Sequence, residues 1–274
     1  MEIATWNING VKARLETVKA WLEEAKPDVA CLQEIKSEDQ PFPRAEFEAL
    51  GYTVETHGQK GFNGVALLSR HPLCDVTRGL PGDEDDVQAR FITARVRLRE
   101  SVSVGSDEGQ TPPLAPIVRV ACLYLPNGNP LGTEKFPYKL KWMERLIAFA
   151  QDALNAEEPL LFAGDYNVIP DTRDLVSPDA WRGDALYQPE SRASLRRLEA
   201  LGFSDAVRAV SDARHFTFWD YQAGAWQKDN GIRIDHLMMS PHLTDRLTSV
   251  RIDKHVRGWE KPSDHVPVVG RFAF

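Results

Sequence analysis

The chain has 274 residues, 42% of them hydrophobic, enough to bury one large α/β domain or two small ones. A net charge of −7 argues mildly against a nucleic-acid binder, whose usual footprint is basic, although net charge averages over the surface and leaves room for a local positive rim. Three cysteines, Cys31, Cys74 and Cys122, show no C-x-x-C spacing and read as reduced thiols, and no apolar stretch approaches membrane-spanning length. The first residues enter a strand-like run with neither a basic nor an apolar leader, so a soluble, intracellular, cytoplasmic protein with no membrane contact is expected, and a monomer is expected besides.

Residues 2–8 alternate with period two, Ile3, Thr5 and Asn7 on one face and Ala4, Trp6 and Ile8 on the other, predicting a strand that Asn9-Gly10 ends. Val11, Leu15, Val18, Trp21 and Leu22 have helical spacing over 11–24, and Pro27-Asp28 breaks that helix. Val29 to Leu32 reads as a fully buried strand, with Glu34 just past its end. A short helix near 43–50 precedes paired strands over 52–57 and 63–69, then strands over 91–97 and 117–124. Between the last two, the polar stretch Ser101 to Pro116 reads as a mobile connection. The longest helix is predicted over 134–154, amphipathic through Leu140, Met143, Leu146, Ile147 and Leu154, and Leu160 to Gly164 is another buried strand. Helices near 191–201 and 204–210 follow, then strands near 215–219, 234–240, 247–252 and 266–273. No repeat or boundary divides the chain, so one domain over 1–274 is expected, built as two mixed sheets packed face to face with helices outside.

Four segments far apart in sequence end or open these strands with oxygen and imidazole donors: Trp6-Asn7-Ile8-Asn9, Leu32-Gln33-Glu34, Gly164-Asp165-Tyr166-Asn167 and Ser263-Asp264-His265. Carboxylates, amides and one imidazole, with no thiol, form a hard donor set suited to Mg²⁺ or Mn²⁺ acting on a phosphate, and so to metal-assisted phosphodiester hydrolysis. Asp165 and Asn167, two apart, project to one side, where a carboxylate and an amide can hold a water and a phosphate oxygen; an Asx-turn is the plainer reading. An amide at Asn7 is an unusual choice in its strand and needs partners, for which a carboxylate is suitable. Asp264 and His265 share a site only if Ser263-Asp264 turns, and Asp235 is placed to orient the His265 ring. Tyr124 ends its strand and is either a core tyrosine or part of the site.

The order of these motifs resembles the exonuclease III family of abasic-site endonucleases, within the endonuclease/exonuclease/phosphatase superfamily. Gly-Asp-x-Asn and Ser-Asp-His fit the whole superfamily. The narrower resemblance rests on Leu32-Gln33-Glu34-Ile35-Lys36, on Gly58 to Ser69, on Phe216-Thr217-Phe218-Trp219-Asp220-Tyr221 and on Asp229 to Asp235. It implies a four-layer α/β sandwich, deoxyribonuclease I-like, with the site at one end of two central sheets. It implies Glu34 as principal Mg²⁺ ligand (Mn²⁺ substituting), with Asn7, Asp165, Asn167, Asp264 and His265 completing the metal set. Asp165 would activate water or serve the leaving group, Asn167 would hold the transition state, and Tyr124 and His265, paired with Asp235, would bind the phosphate. Phe218, Ile232 and Ile234 would form a pocket for a bare sugar. Lys12, Arg14, Lys36 and Arg233, with Lys60, Lys228 and Lys261, would meet backbone phosphates from loops around the site.

The activity so implied is cleavage 5′ to abasic sites in double-stranded DNA, leaving a 3′-hydroxyl, with 3′→5′ exonuclease and cleaning of blocked 3′ ends. The alternative is a superfamily phosphatase acting on a phosphoester outside nucleic acid. The Ser101–Pro116 insertion, and an aromatic at Tyr166 where Met or Leu is commoner, depart from the family pattern.

Overall fold

The computed structural model describes residues 1–98 and 116–274, so residues 101–115 of the expected mobile connection lie outside the described part. In chain order the elements are β1 (Glu2–Asn7), α1 (Val11–Ala25), β2 (Val29–Gln33), α2 (Arg44–Glu48), β3 (Thr53–His57), β4 (Val65–Ser69), β5 (Leu73–Arg78), β6 (Phe91–Arg97) and β7 (Ile117–Tyr124). There follow α3 (Lys135–Leu154), β8 (Leu160–Asp165), α4 (Pro178–Trp181), α5 (Pro189–Ala200), β9 (Ser204–Asp205), α6 (Ala206–Val210), β10 (Asp235–Met239), α7 (Pro241–Thr244), β11 (Leu247–Ile252) and β12 (Val268–Phe272).

Among the described residues the strands form two six-stranded sheets, ordered β11-β12-β1-β2-β4-β3 and β5-β6-β7-β8-β10-β9. Each has one parallel pair at its centre, β1 with β2 and β7 with β8, and antiparallel pairs elsewhere. A parallel pair needs a crossover, supplied by α1 and α3. Period-two alternation then divides each sheet between two cores. Ile3, Val29, Cys31, Val65 and Leu67 of one sheet meet Ile92, Val120, Cys122, Ala163 and Leu237 of the other. The opposite faces carry Trp6, Ala30 and Leu68 against Val18, Trp21 and Leu22 of α1, and Leu123, Phe162 and Met238 against Trp142, Met143 and Leu146 of α3. The result is the expected layering of helix, sheet, sheet and helix. Gly164 permits the closest approach of the central pair, because any Cβ there would overlap the Leu123 carbonyl of β7.

Register places the site. Parallel pairing aligns Asn7 with Gln33 and Tyr124 with Asp165, so both parallel pairs end at the same edge of the sandwich. Antiparallel β10 starts there, with Asp235 opposite Asp165, and β12 starts near the end of β1, with Val268 opposite Thr5.

Several expectations are corrected. Residues 215–219 form no strand; Phe218 alone bridges Ile232 and His265. β5 was not foreseen: it is a sheet-edge strand whose register slips between Cys74 and Thr77, with Asp75 left-handed at φ 51°, so its alternation is broken. The buried residues of α3 are Lys139, Trp142, Met143, Arg145, Leu146 and Ala150, with Leu140, Ile147 and Leu154 at the half-exposed margin. Residues 204–210 divide into β9 and α6, because the Asp205 side chain accepts the Val207 N–H and starts the helix one residue later. Among the described residues no helix is long and apolar enough to cross a membrane.

Candidate active site

The inward face of β1 turns polar as it nears its end. Thr5 Oγ1 donates to Gln33 Oε1 at 3.2 Å, and Gln33 Nε2 reaches Cys122 Sγ on the facing sheet at 3.1 Å. One step further, Asn7 continues the Ile3 and Thr5 face between the sheets. Its Nδ2 donates to Glu34 Oε1 and to Asp165 Oδ2, both at 2.9 Å, so one amide nitrogen ties a carboxylate of each sheet. Its Oδ1 is occupied by the Asn9 N–H at 3.0 Å.

Glu34 leaves β2 with a left-handed backbone, φ 49°, and Asn9, Lys36 and Asn167 share that conformation at φ 48°, 50° and 48°. Non-glycine residues adopt this region rarely, and four of them gather at one end of the sandwich. Burial by itself would raise the Glu34 carboxyl. Hydrogen bonds from Asn7 and Lys36, together with the Lys36 charge, outweigh it and hold the group below the usual carboxylate range. Lys36 Nζ lies 2.9 Å from Glu34 Oε2.

On the second sheet Asp165 is held at both oxygens, Oδ2 by Asn7 and Oδ1 by the Asn167 N–H at 2.9 Å. His265 Nδ1 is 2.9 Å from Asp235 Oδ2, and its Nε2 is 3.7 Å from Asp165 Oδ2. The three are buried, and one donor atom from each falls within 4.8 Å of the others. Burial pulls the His265 ring down, but Asp235 and Asp165 outweigh it and raise it to about 10. Burial, reinforced by Asp235, pushes Asp165 up to about 7 against the His265 charge. The turn required at Ser263 exists: Ser263 Oγ donates to Asn7 O at 2.7 Å and accepts the His265 N–H at 3.2 Å. Asp264 and His265 accordingly diverge, Asp264 Oδ1 accepting from Asn9 Nδ2 at 3.1 Å. Burial and the nearby Glu34 and Asp165 charges carry the Tyr124 phenol well above the ordinary value.

Glu34, Asp165 and Asp235 therefore converge with Asn7, Tyr124 and His265, whereas Asp264 turns to Asn9 at the margin of the site. Others are placed differently. Asn167 spends its side chain on protein partners, Nδ2 donating to Leu125 O at 2.9 Å and Oδ1 accepting from Asn127 Nδ2 at 3.0 Å. Asn7 aims a nitrogen, not an oxygen, at the two carboxylates, so neither amide is set out as a free metal ligand. Arg233 cannot meet a phosphate: it is fully buried, with Nε 2.6 Å from Asp174 and Nη1 2.5 Å from Asp205. Ile232 and Ile234 are each 2% exposed in a cluster with Ile169, Leu175 and Leu186, which leaves half-buried Phe218, 4.9 Å from the His265 ring, to face a ligand. Lys12 and Arg14 lie on α1 rather than in a loop, Lys12 exposed and Arg14 bonded to Asn9 O at 2.6 Å.

Asn9 and Ser263, named above only within their segments, and Asn127 join the site although none was among the expected catalytic or metal-binding residues. Asn9 repeats at β1 the two-residue step that joins Asp165 to Asn167, and that spacing was the available signal.

The model of the endonuclease/exonuclease/phosphatase family matches residues 4–265. The chain belongs to that family. Within it, the chain sits in the exonuclease III branch: it is 34% identical to exodeoxyribonuclease III of Haemophilus influenzae, over 99% of this chain and all of that one. Its fold is similar to an AP endonuclease from Archaeoglobus fulgidus, with a TM-score of 0.89 and 35% identity over the whole of both chains. It is equally similar to the Neisseria 3′ phosphatase NExo bound to a product DNA hairpin, at a TM-score of 0.90 and 34% identity over the whole of both chains. The two packed sheets with outer helices are thus the deoxyribonuclease I-like sandwich of this family.

Proposed function

We propose that the protein is a divalent-metal-dependent DNA repair nuclease that cuts the phosphodiester 5′ to an abasic site and leaves a 3′-hydroxyl. The same site would serve 3′→5′ exonuclease and 3′-phosphatase or phosphodiesterase reactions on blocked ends. One observation carries the reading: a single Asn7 nitrogen joins an ionised carboxylate, Glu34, to a buried carboxylate near neutrality, Asp165, beside an imidazole locked by Asp235. The relatives, an exodeoxyribonuclease, an AP endonuclease and a DNA-bound 3′ phosphatase, support the substrate class.

The donor chemistry fits a hard cation. Glu34, held ionised, would be the principal ligand, with Asp165 tied to it through Asn7, Asp264 tied to it through Asn9 and Lys36, and no thiolate among them. These residues would hold Mg²⁺ (or Mn²⁺), which would supply polarisation of a phosphoryl oxygen. A ring held protonated by two carboxylates has no lone pair to give a metal, so His265 belongs to the phosphate side. It donates from Nε2 to the developing negative charge, and a donor so placed is worth roughly 3 kcal/mol in the transition state. Asp165, raised to about 7 and held at both oxygens by Asn7 and Asn167, takes the proton of the attacking water on a remaining lone pair and returns it to the departing 3′-oxygen. Tyr124 holds its phenolic proton throughout and adds a second donor. Phe218, packed on His265, offers an apolar wall to a sugar without a base, whose extrusion costs less than that of a stacked nucleotide.

The test is a duplex with one central tetrahydrofuran site, incubated with Mg²⁺ or with EDTA. A single Mg²⁺-dependent nick supports the endonuclease, and a ladder from the 3′ end shifts the main activity to the exonuclease. Hydrolysis of soluble phosphate monoesters with no action on either DNA end or site overturns the proposal in favour of a phosphatase.

A further inference from the structure

Lys139 of α3 is buried throughout, yet no carboxylate pairs with it among the described residues. Its Nζ instead donates to three backbone carbonyls: Asn167 O at 2.5 Å, Asn127 O at 3.1 Å and Ala185 O at 3.5 Å. Two of these belong to the loops that leave β7 and β8, and the third anchors the chain before α5. The loops are joined again above the lysine by the Asn127 Nδ2 to Asn167 Oδ1 bond of 3.0 Å. Asn167 is also one of the left-handed residues, and its N–H holds Asp165 Oδ1. Gly128, between them at φ 91°, leaves the space the lysine stem occupies; a Cβ there would stand 2.8 Å from Lys139 Cδ.

We propose that Lys139 is a positioning residue for the hydrolysis, its ammonium pinning the loops after β7 and β8 to one another so that Asn127, Asn167 and Asp165 keep one arrangement. The inference rests on the nuclease reading above. An ammonium has three donors in a compact head and matches three converging carbonyls, which a planar guanidinium does not. A buried charge with no counter-ion is costly unless every proton finds an acceptor, so the carbonyls and the lysine hold each other in place. Burial drives Lys139 down to about 7, while Asp165 and Asp184 act against that shift. A chain that needed only to fill this volume would place an apolar side chain here at no such cost. The lysine never reaches the substrate; it acts through the strained Asn167 backbone.

The experiment compares Lys139→Met, of similar length, with Lys139→Arg. On the tetrahydrofuran duplex, Lys139→Met is expected to lose about 10²-fold in kcat, the scale of a small misplacement of reacting groups, with KM within about threefold of wild type. Lys139→Arg, which restores charge but not geometry, recovers part of that loss. Hydrogen exchange of the Met variant should rise in residues 125–129 and 165–169 while the rest of α3 stays as protected as in the wild type. A folded Met variant with wild-type kcat and wild-type exchange overturns the proposal, as does exchange raised evenly along α3 with no recovery by Arg. Lys139→Gln supplies the same readings where the Met variant does not fold. A wild-type protein that fails to nick the duplex sinks the nuclease reading, and the loop-exchange comparison still decides the role of Lys139.

Discussion

Replacing Asp235 by asparagine keeps the side chain's shape and removes one charge from a group 2.9 Å from His265 Nδ1. Both residues are buried, so little solvent screens the pair. The His265 ring stands at about 10 against an ordinary 6.5, and at about 1.4 kcal/mol per unit that displacement separates the two protonation states by roughly 5 kcal/mol. Burial opposes the shift, so the neighbouring carboxylates Asp235, Asp165 and Asp264 produce all of it, Asp235 the most, and Asp235 is nearer than Asp165, at 2.9 Å against 3.7 Å. Without Asp235 the ring should return to its ordinary value or below and be neutral at pH 8. An amide NH₂ facing Nδ1 would also select the wrong tautomer, and together these effects should cost about 10²- to 10⁴-fold in kcat. The assay is single-turnover nicking of the tetrahydrofuran duplex from pH 6 to 9, beside an ¹⁵N titration of the ring. Wild type should keep the ring proton across that range, whereas Asp235→Asn should lose it, and lose rate, as the pH rises through the new midpoint. Stability gives a second reading. A ring whose folded value is raised stabilises the fold fully below its unfolded 6.5 and loses that contribution as pH climbs through about 10. The Tm gap between wild type and variant should therefore be widest just below pH 6.5 and narrow above it. An Asp235→Asn protein with a protonated ring and wild-type rate at pH 8 would refute the reasoning.

Glu34→Ala should reduce Mg²⁺-dependent nicking by at least about 10³-fold and weaken Mg²⁺ binding in a calorimetric titration; full metal-dependent cleavage by this variant contradicts the ligand assignment. Arg233→Met leaves buried Asp205 without its arginine and Asp174 with Arg208 alone, which should cost about 3–5 kcal/mol in urea unfolding. The salt dependence of DNA binding should not move in that variant, whereas a phosphate-contacting Arg233 would lower the salt slope at unchanged stability. Lys12, exposed at the start of α1 beside the site, makes the opposite prediction. Lys12→Ala should weaken binding evenly across DNA sequences and reduce the salt slope by about 1, with no change in unfolding.

The convergent part of the site was readable because it is written locally. Asn7, Glu34, Tyr124, Asp165 and Asp235 each stand at a strand terminus, and period-two alternation already placed Asn7 on the face of Ile3 and Thr5. What remained was only that these ends meet, which the parallel pairing of β1 with β2 and β7 with β8 supplies. Arg233 and Lys139 were not readable for the complementary reason. In sequence both are ordinary cations, one beside apparent pocket residues and one amid the alternating charges of α3. Their burial is made by Asp174 and Asp205 in the first case and by the carbonyls of Asn127, Asn167 and Ala185 in the second, all at least 12 residues away. The strand expected over 215–219 failed similarly. Its alternation is real, but Thr217 Oγ1 turns inward to accept the N–H groups of Ile234 and Asp235 at 3.1 and 3.2 Å, and only Phe218 forms a bridge.

The polar end of the sandwich is destabilising as built, and that indicates what selects it. Moving along β1, the space between the sheets passes from Ile3 through the Thr5, Gln33 and Cys122 layer to Asn7, Asp165, Asp235 and His265. Each left-handed residue there adds on the order of 1 kcal/mol of backbone strain, and Asp235 Oδ1 is buried with no partner. Glycine at Glu34 or Asn9 would remove strain without disturbing the layers that hold the sheets together. A sequence chosen for stability alone would take those substitutions. The strain instead sits where Glu34 must leave β2 toward Asp165 and where Asn167 must turn its N–H back onto the same carboxylate. The two apolar layers under α1 and α3 carry the stability that lets this end of the molecule be held in a conformation relevant only to chemistry.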